Sequence, residues 1–215
     1  WIAAQLTALG VVFNVLSDGS ISVTQGMLMG TAIVLVYTLF GGMWSVALTD
    51  TFQMAIIVVG LGYLTWLIGD MAGGPQKVIS QAASEGKFTF INSFDARDIV
   101  AFIGAAVTMM LGSIPQQDVY ARVMSAKTEK IASHATIAGA IFYLGFCMLP
   151  IFLTYAASII DPAMVKHFLE EDAQMILPHL IMERTPVFAQ VLFFGALLSA
   201  IMSTASGTLL APSVT

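Results

Sequence analysis

Run after run of apolar residues, each long enough to cross a bilayer, constrains this chain more than any other feature of it. A helix that spans the hydrocarbon core needs about 20 mostly apolar residues. Stretches near 25–43, 46–69, 98–120, 131–160 and 187–212 reach that length, and residues 1–16 read as the truncated tail of another. Charged residues make up only 10% of the chain and hydrophobic ones 58%, whereas a soluble domain carries about 25% charged residues. The expected fold is therefore all-α, a polytopic membrane protein of about five full spans plus one truncated. Residues 1–215 form a single transmembrane domain in this reading. The chain starts at Trp1 with no charged leader and stops soon after an apolar run, so an internal piece of a longer protein is expected.

The punctuation between spans is specific. Ser17-Asp18-Gly19 ends the first stretch, and Gly41-Gly42 separates the span at 25–43 from the one at 46–69. Gly112-Ser113-Ile114-Pro115 interrupts the span at 98–120, and Pro150 is expected to kink the one at 131–160, since proline removes a helix hydrogen bond. Two long polar connections remain, 70–97 and 161–186, each with room for short amphipathic helices, near 76–84 in the first case. Arg122, Lys127 and Lys130 crowd one short connection, which by the positive-inside rule faces the cytoplasm and leaves both long loops outside. The eight Lys and Arg are otherwise scattered, so nucleic acid is not an expected partner. Cys147 is the single cysteine, and no disulfide framework is possible.

Four constellations bear chemistry. Leu197–Gly207 holds Ser199, Ser203, Thr204 and Ser206 in an otherwise apolar helix. At helical pitch Ala200, Ser203 and Thr204 share a face. Their hydroxyls and a carbonyl form an uncharged oxygen set suited to a monovalent cation, and small residues of this kind also serve plain helix packing. Asp50 lies at the start of the third span, where a carboxylate either caps the helix or marks an ion path. Ser113, Pro115, Gln116 and Gln117 form a break of the sort transporters use to expose backbone to a solute; a simple proline kink is the alternative. Arg122 and Lys127 belong to topology. His134, His167 and His179 are far apart, so no metal site beyond a monovalent cation, no cofactor and no enzyme chemistry are expected.

In order, these residues resemble the sodium:solute symporter family. Tyr37-Thr38-Leu39-Phe40-Gly41-Gly42-Met43-Trp44-Ser45-Val46, followed by Thr49-Asp50 and Gln53, is similar to its Gly-Gly…Thr-Asp…Gln signature. Ser125-Ala126-Lys127 after Arg122 is similar to a family loop, although Ala121 stands where Gln is common. Ser199-Ala200-Ile201-Met202-Ser203-Thr204 matches the family's sodium-binding helix, and Ala3–Gly10 has the family's look. The resemblance implies part of a LeuT-type bundle of two inverted five-helix repeats, running from the end of the third core helix to the eighth. It implies sodium ligation by Ala200, Ser203 and Thr204, with the first-helix half of that site outside this chain. It also implies a possible second cation or release path through Asp50, Ser203 and Ser206, with Gly207 where a further hydroxyl is usual. The Pro115-Gln116 pattern is nearer to choline-type members than to sugar transporters.

The resulting expectation is sodium-coupled symport of a small polar organic solute by alternating access, with sodium as the coupling ion. The setting is a multi-pass protein of the cell membrane, the bacterial inner membrane first. Proton coupling through Asp50, or a non-transporting sensor or structural subunit, are the alternatives.

Overall fold

The computed structural model describes residues 2–89, 95–112 and 116–210, and among them the regular structure is entirely helical. The helices are α1 (Ile2–Leu16), α2 (Val23–Met71), α3 (Pro75–Ser84), α4 (Ala96–Gly112), α5 (Gln117–Met124) and α6 (Glu129–Phe146). They continue as α7 (Met148–Ile160), α8 (Pro162–Glu171), a 3₁₀ turn at Ala173–Met175, α9 (Ile176–Arg184) and α10 (Val187–Leu210). Four stretches are long and apolar enough to cross a membrane: Val23–Phe40, Trp44–Met71, Glu129–Ile160 and Val187–Leu209. Leu28, Ile33, Phe40, Trp44 and Phe52 are among the many large apolar side chains left exposed, as suits helices whose surroundings are not water.

α2 is two helical arms joined at a kink, where Gly42 leaves the helical region at φ 54, ψ −152. That combination is open essentially to glycine alone, so the break expected at Gly41-Gly42 falls on the second of the pair. Gly42 thus divides α2 into two arms, and each reaches α10: Tyr37 on the first bonds the Met202 carbonyl, and Asp50 on the second receives the Ser203 hydroxyl.

The chain divides into two compact units. The first comprises Trp1–Trp66 and Phe168–Thr215. α1 lies along α10, and Leu9, Val12, Val34, Phe194, Ile201 and Ala205 make its core. Small residues set how closely its helices approach, as they do within membranes. A Cβ on Gly10 would stand 2.4 Å from the Val23 carbonyl oxygen, and one on Gly26 would stand 2.9 Å from Phe13 Cβ. Gly60 has the same role between α2 and α10, where an added Cβ would meet the Leu192 carbonyl oxygen at 3.1 Å.

The second unit is Leu67–His167. Here α3 lies on α7, burying Val78 and Ala82 on one helix and Leu153, Ala156 and Ala157 on the other. α3, α8 and α9 occupy the two long connections where short amphipathic helices are expected. The discontinuity between α6 and α7 falls at Cys147 rather than at Pro150 itself. A proline ring obstructs the carbonyl four residues earlier, here that of Phe146, the last residue of α6. α4 stops at Gly112 and α5 starts at Gln117. Ser113 and Pro115, central to the expected break, lie outside the described residues.

Replacing Gly10 with Val forces a side chain into a backbone carbonyl, and overpacking of this kind costs about 1–3 kcal/mol or more. Gly42→Ala, placing a Cβ in a glycine-only conformation, is expected to destabilise by roughly 1–3 kcal/mol. Gly62→Ala, where an added Cβ meets nothing within 4 Å, is expected to leave thermal unfolding of the detergent-solubilised protein unaltered.

Candidate functional site

The second arm of α2 and α10 run antiparallel in a fixed register. Tyr63 meets Phe188 edge-on with ring centroids 5.5 Å apart. Three residues nearer the arm's start, Gly60 faces Leu192 and Ala196. Ten further back, Asp50 faces Ser203. The pairing descends one helix as it climbs the other, which carries Asp50 and the hydroxyl-rich end of α10 to the same level. Asp50 sits six residues past Trp44, about 9 Å into the arm at 1.5 Å per residue. That depth is beyond the first turn, so capping of free N–H groups does not account for it.

At this level Asp50, Ser203, Ser206 and Tyr37 form an oxygen cluster with the Met202 and Ser203 carbonyls. Ser203 Oγ donates to Asp50 Oδ1 at 2.6 Å. Ser206 Oγ donates to the Ser203 carbonyl at 3.0 Å, and Ser206 is fully buried. Tyr37, on the first arm of α2, donates from its hydroxyl to the Met202 carbonyl at 3.1 Å, and lies beside Ser206 and within electrostatic reach of Asp50. Elsewhere on α2, Thr38 Oγ1 and Gln53 Oε1 are buried without a hydrogen-bond partner. Gln53 is one helical turn beyond Asp50, and residues three apart share a face. A buried acceptor left unpaired costs about 1–3 kcal/mol; an ion or a polar ligand removes that penalty.

The three residues expected to hold sodium are arranged differently. Thr204 Oγ1 donates to the Ala200 carbonyl at 2.9 Å, the four-residue back-bond that also serves ordinary packing. Ser203 instead turns to Asp50. The structure thus brings Asp50, Ser203 and Ser206 together, while Ala200 and Thr204 pair with each other one turn away. Gln116 and Gln117 are exposed at the start of α5, in the other unit. Among the described residues no group of three or more His, Cys, Asp or Glu is placed to hold a metal ion.

Tyr37 enters the cluster although its sequence signal is faint: it is a polar residue three positions beyond buried Val34, on the same helix face.

The model of the sodium:solute symporter family matches residues 1–215. The high affinity choline transporter 1 of Homo sapiens is 28% identical over 222 residues, covering 99% of this chain and 37% of that protein. The Drosophila melanogaster protein of the same description is 28% identical over 219 residues, covering 98% of this chain and 34% of the relative. The sodium/pantothenate symporter of Haemophilus influenzae is 27% identical over 198 residues, covering 90% of this chain and 39% of the relative. The chain thus spans little more than a third of the length of these relatives. No solved structure matches it.

Ser203→Ala removes a hydroxyl from a half-buried carboxylate, and a hydrogen bond to a charged group is worth roughly 1.5–3 kcal/mol; partial exposure puts the expected loss at the lower end. Thr204→Val removes only a back-bond to a carbonyl already in the helix ladder, and is expected to change stability by less than about 0.5 kcal/mol. Thermal unfolding of the purified variants separates the two.

Proposed function

We propose, from the premise that this chain belongs to the sodium:solute symporter family, that it is the ion-handling part of a multi-pass membrane transporter. It couples downhill sodium entry to uptake of a small polar organic solute. The observation that carries the reading is the oxygen cluster of Asp50, Ser203 and Ser206 between α2 and α10. A carboxylate within a span is expensive and marks ion paths. Hydroxyls and carbonyls beside it are the ligands a hard cation prefers.

Sodium is proposed to bind on α10 through the Ala200 carbonyl and the Ser203 and Thr204 hydroxyls, with its remaining ligands supplied by helices outside this chain. Asp50, Ser203 and Ser206 then form a second cation site or the path of release. A hard cation of about 1 Å radius holds its oxygens roughly 2.3–2.6 Å away. Two ligands at right angles are then about 3.4 Å apart. Entry of the ion between Ser203 and Asp50 therefore parts a pair that stands at 2.6 Å, and shifts α10 against α2. Sodium and solute need only favour the same conformation by about 1–3 kcal/mol for transport to be coupled.

The bundle proposed is the LeuT-type inverted repeat, in the cell membrane and first of all the bacterial inner membrane. Choline is the solute to try first, because relatives described as choline transporters align over 98–99% of this chain. Pantothenate is the second. Ser113, Pro115, Gln116 and Gln117 are proposed to line the solute cavity.

The test is uptake of labelled choline, then pantothenate, into proteoliposomes holding the full-length protein under an imposed sodium gradient. Uptake is expected to follow the sodium gradient, and Ser203→Ala combined with Thr204→Ala is expected to lower it at least tenfold at fixed sodium. Unaltered sodium dependence in that double variant would sink the assignment. Uptake driven by a pH gradient alone and abolished by Asp50→Asn would establish proton coupling in its place.

A further inference from the structure

We propose that Tyr37 is a positioning residue for the ion-handling turn of α10, an inference that rests on the sodium reading above and deepens it. Met202 and Ser203 are consecutive, and the two arms of α2 hold one each. The first arm holds the Met202 carbonyl through Tyr37 at 3.1 Å; the second holds the Ser203 hydroxyl through Asp50 at 2.6 Å. These bonds differ in kind. The Asp50 bond occupies the oxygens a cation would take, so it opens when the ion arrives. The Tyr37 bond goes to a backbone carbonyl whose other lone pair belongs to the helix ladder, and it persists when the ion arrives.

Tyr37 is not needed to build α10, because the helix satisfies its own backbone. What the bond does fix is the rotation of α10 about its own axis. The Cα atoms lie about 2.3 Å from that axis, so a serine hydroxyl lies roughly 3.5 Å from it, and a 15° rotation moves the hydroxyl about 0.9 Å. That is of the same size as the roughly 0.8 Å by which a cation, holding its oxygens about 3.4 Å apart, parts Ser203 from Asp50 at 2.6 Å. Without the hydroxyl of Tyr37, α10 spends part of its time rotated away from the geometry that receives the ion. Close packing at Gly60 limits the helix separation and Phe194, Ile201 and Ala205 seat α10 in the core; the Tyr37 bond adds the fine setting of the turn at Met202 and Ser203.

The experiment uses the full-length transporter in proteoliposomes, with Tyr37→Phe as the variant and Asp50→Asn and Ser203→Ala run beside it. One lost hydrogen bond corresponds to roughly a two- to tenfold weakening. The sodium concentration for half-maximal uptake is expected to rise by that factor in Tyr37→Phe. The solute concentration for half-maximal uptake, read at saturating sodium, is expected to move less than twofold. Uptake is normalised to folded transporter in the membrane. A fall in maximal uptake with unaltered sodium half-saturation would mark a merely architectural tyrosine and overturn the proposal, as would failure of the phenylalanine variant to fold. If Asp50→Asn and Ser203→Ala also leave sodium dependence untouched, it is the sodium site itself that fails. If they shift it and Tyr37→Phe does not, only the role of Tyr37 falls.

Discussion

The first unit depends on one short hydrogen bond, from Ser203 to Asp50, because a membrane span has no water with which to solvate a carboxylate. Such a group is tolerated only where the protein itself supplies polar partners. Supplying them here requires two separate backbone solutions. α2 kinks at Gly42, with Tyr37 on one arm and Asp50 on the other both bonding α10, and α10 must place a hydroxyl at the matching level. Gly60 then lets the two helices come close enough for a serine, the shortest hydroxyl side chain, to reach across.

The same economy governs the remainder of that unit. Gly10 and Gly26 let α1 and α2 approach until backbone meets backbone, the arrangement helices adopt when lipid gives apolar side chains no reason to avoid it. Hydroxyls that find no distant partner bond backward within their own helices, as Thr7, Thr31, Thr65 and Thr204 do. Ser203 and Tyr37 are different: their bonds cross between helices. In a helix where back-bonding is always available, a hydroxyl committed to another helix identifies the level at which two elements are coupled.

The placement of these groups also suggests why an ion could move helices. A cation that took both Ser203 and Asp50 would lengthen one cross-helix contact by roughly 0.8 Å, while the neighbouring contact through Tyr37 has no reason to lengthen. A displacement applied at one of two adjacent points becomes a rotation rather than a translation. Packed helices respond to such a push by changing between discrete arrangements.

Much of this was legible in the sequence. Apolar run lengths, scarce charge and the need of lipid-buried backbone to bond internally dictated membrane helices, and Gly41-Gly42, Gly112 and Pro150 marked where they would break. The hydroxyl run on α10 and the carboxylate at Asp50 announced themselves as polar groups in an apolar medium. The sequence by itself did not decide which hydroxyls cross and which bond back, because Ser203 and Thr204 are neighbours with the same chemistry. Nor could it single out Tyr37 from other half-buried tyrosines. Those outcomes depend on the antiparallel register of α2 with α10. Local pattern determines which residues are polar and which helices form; only the register between helices determines which oxygens meet.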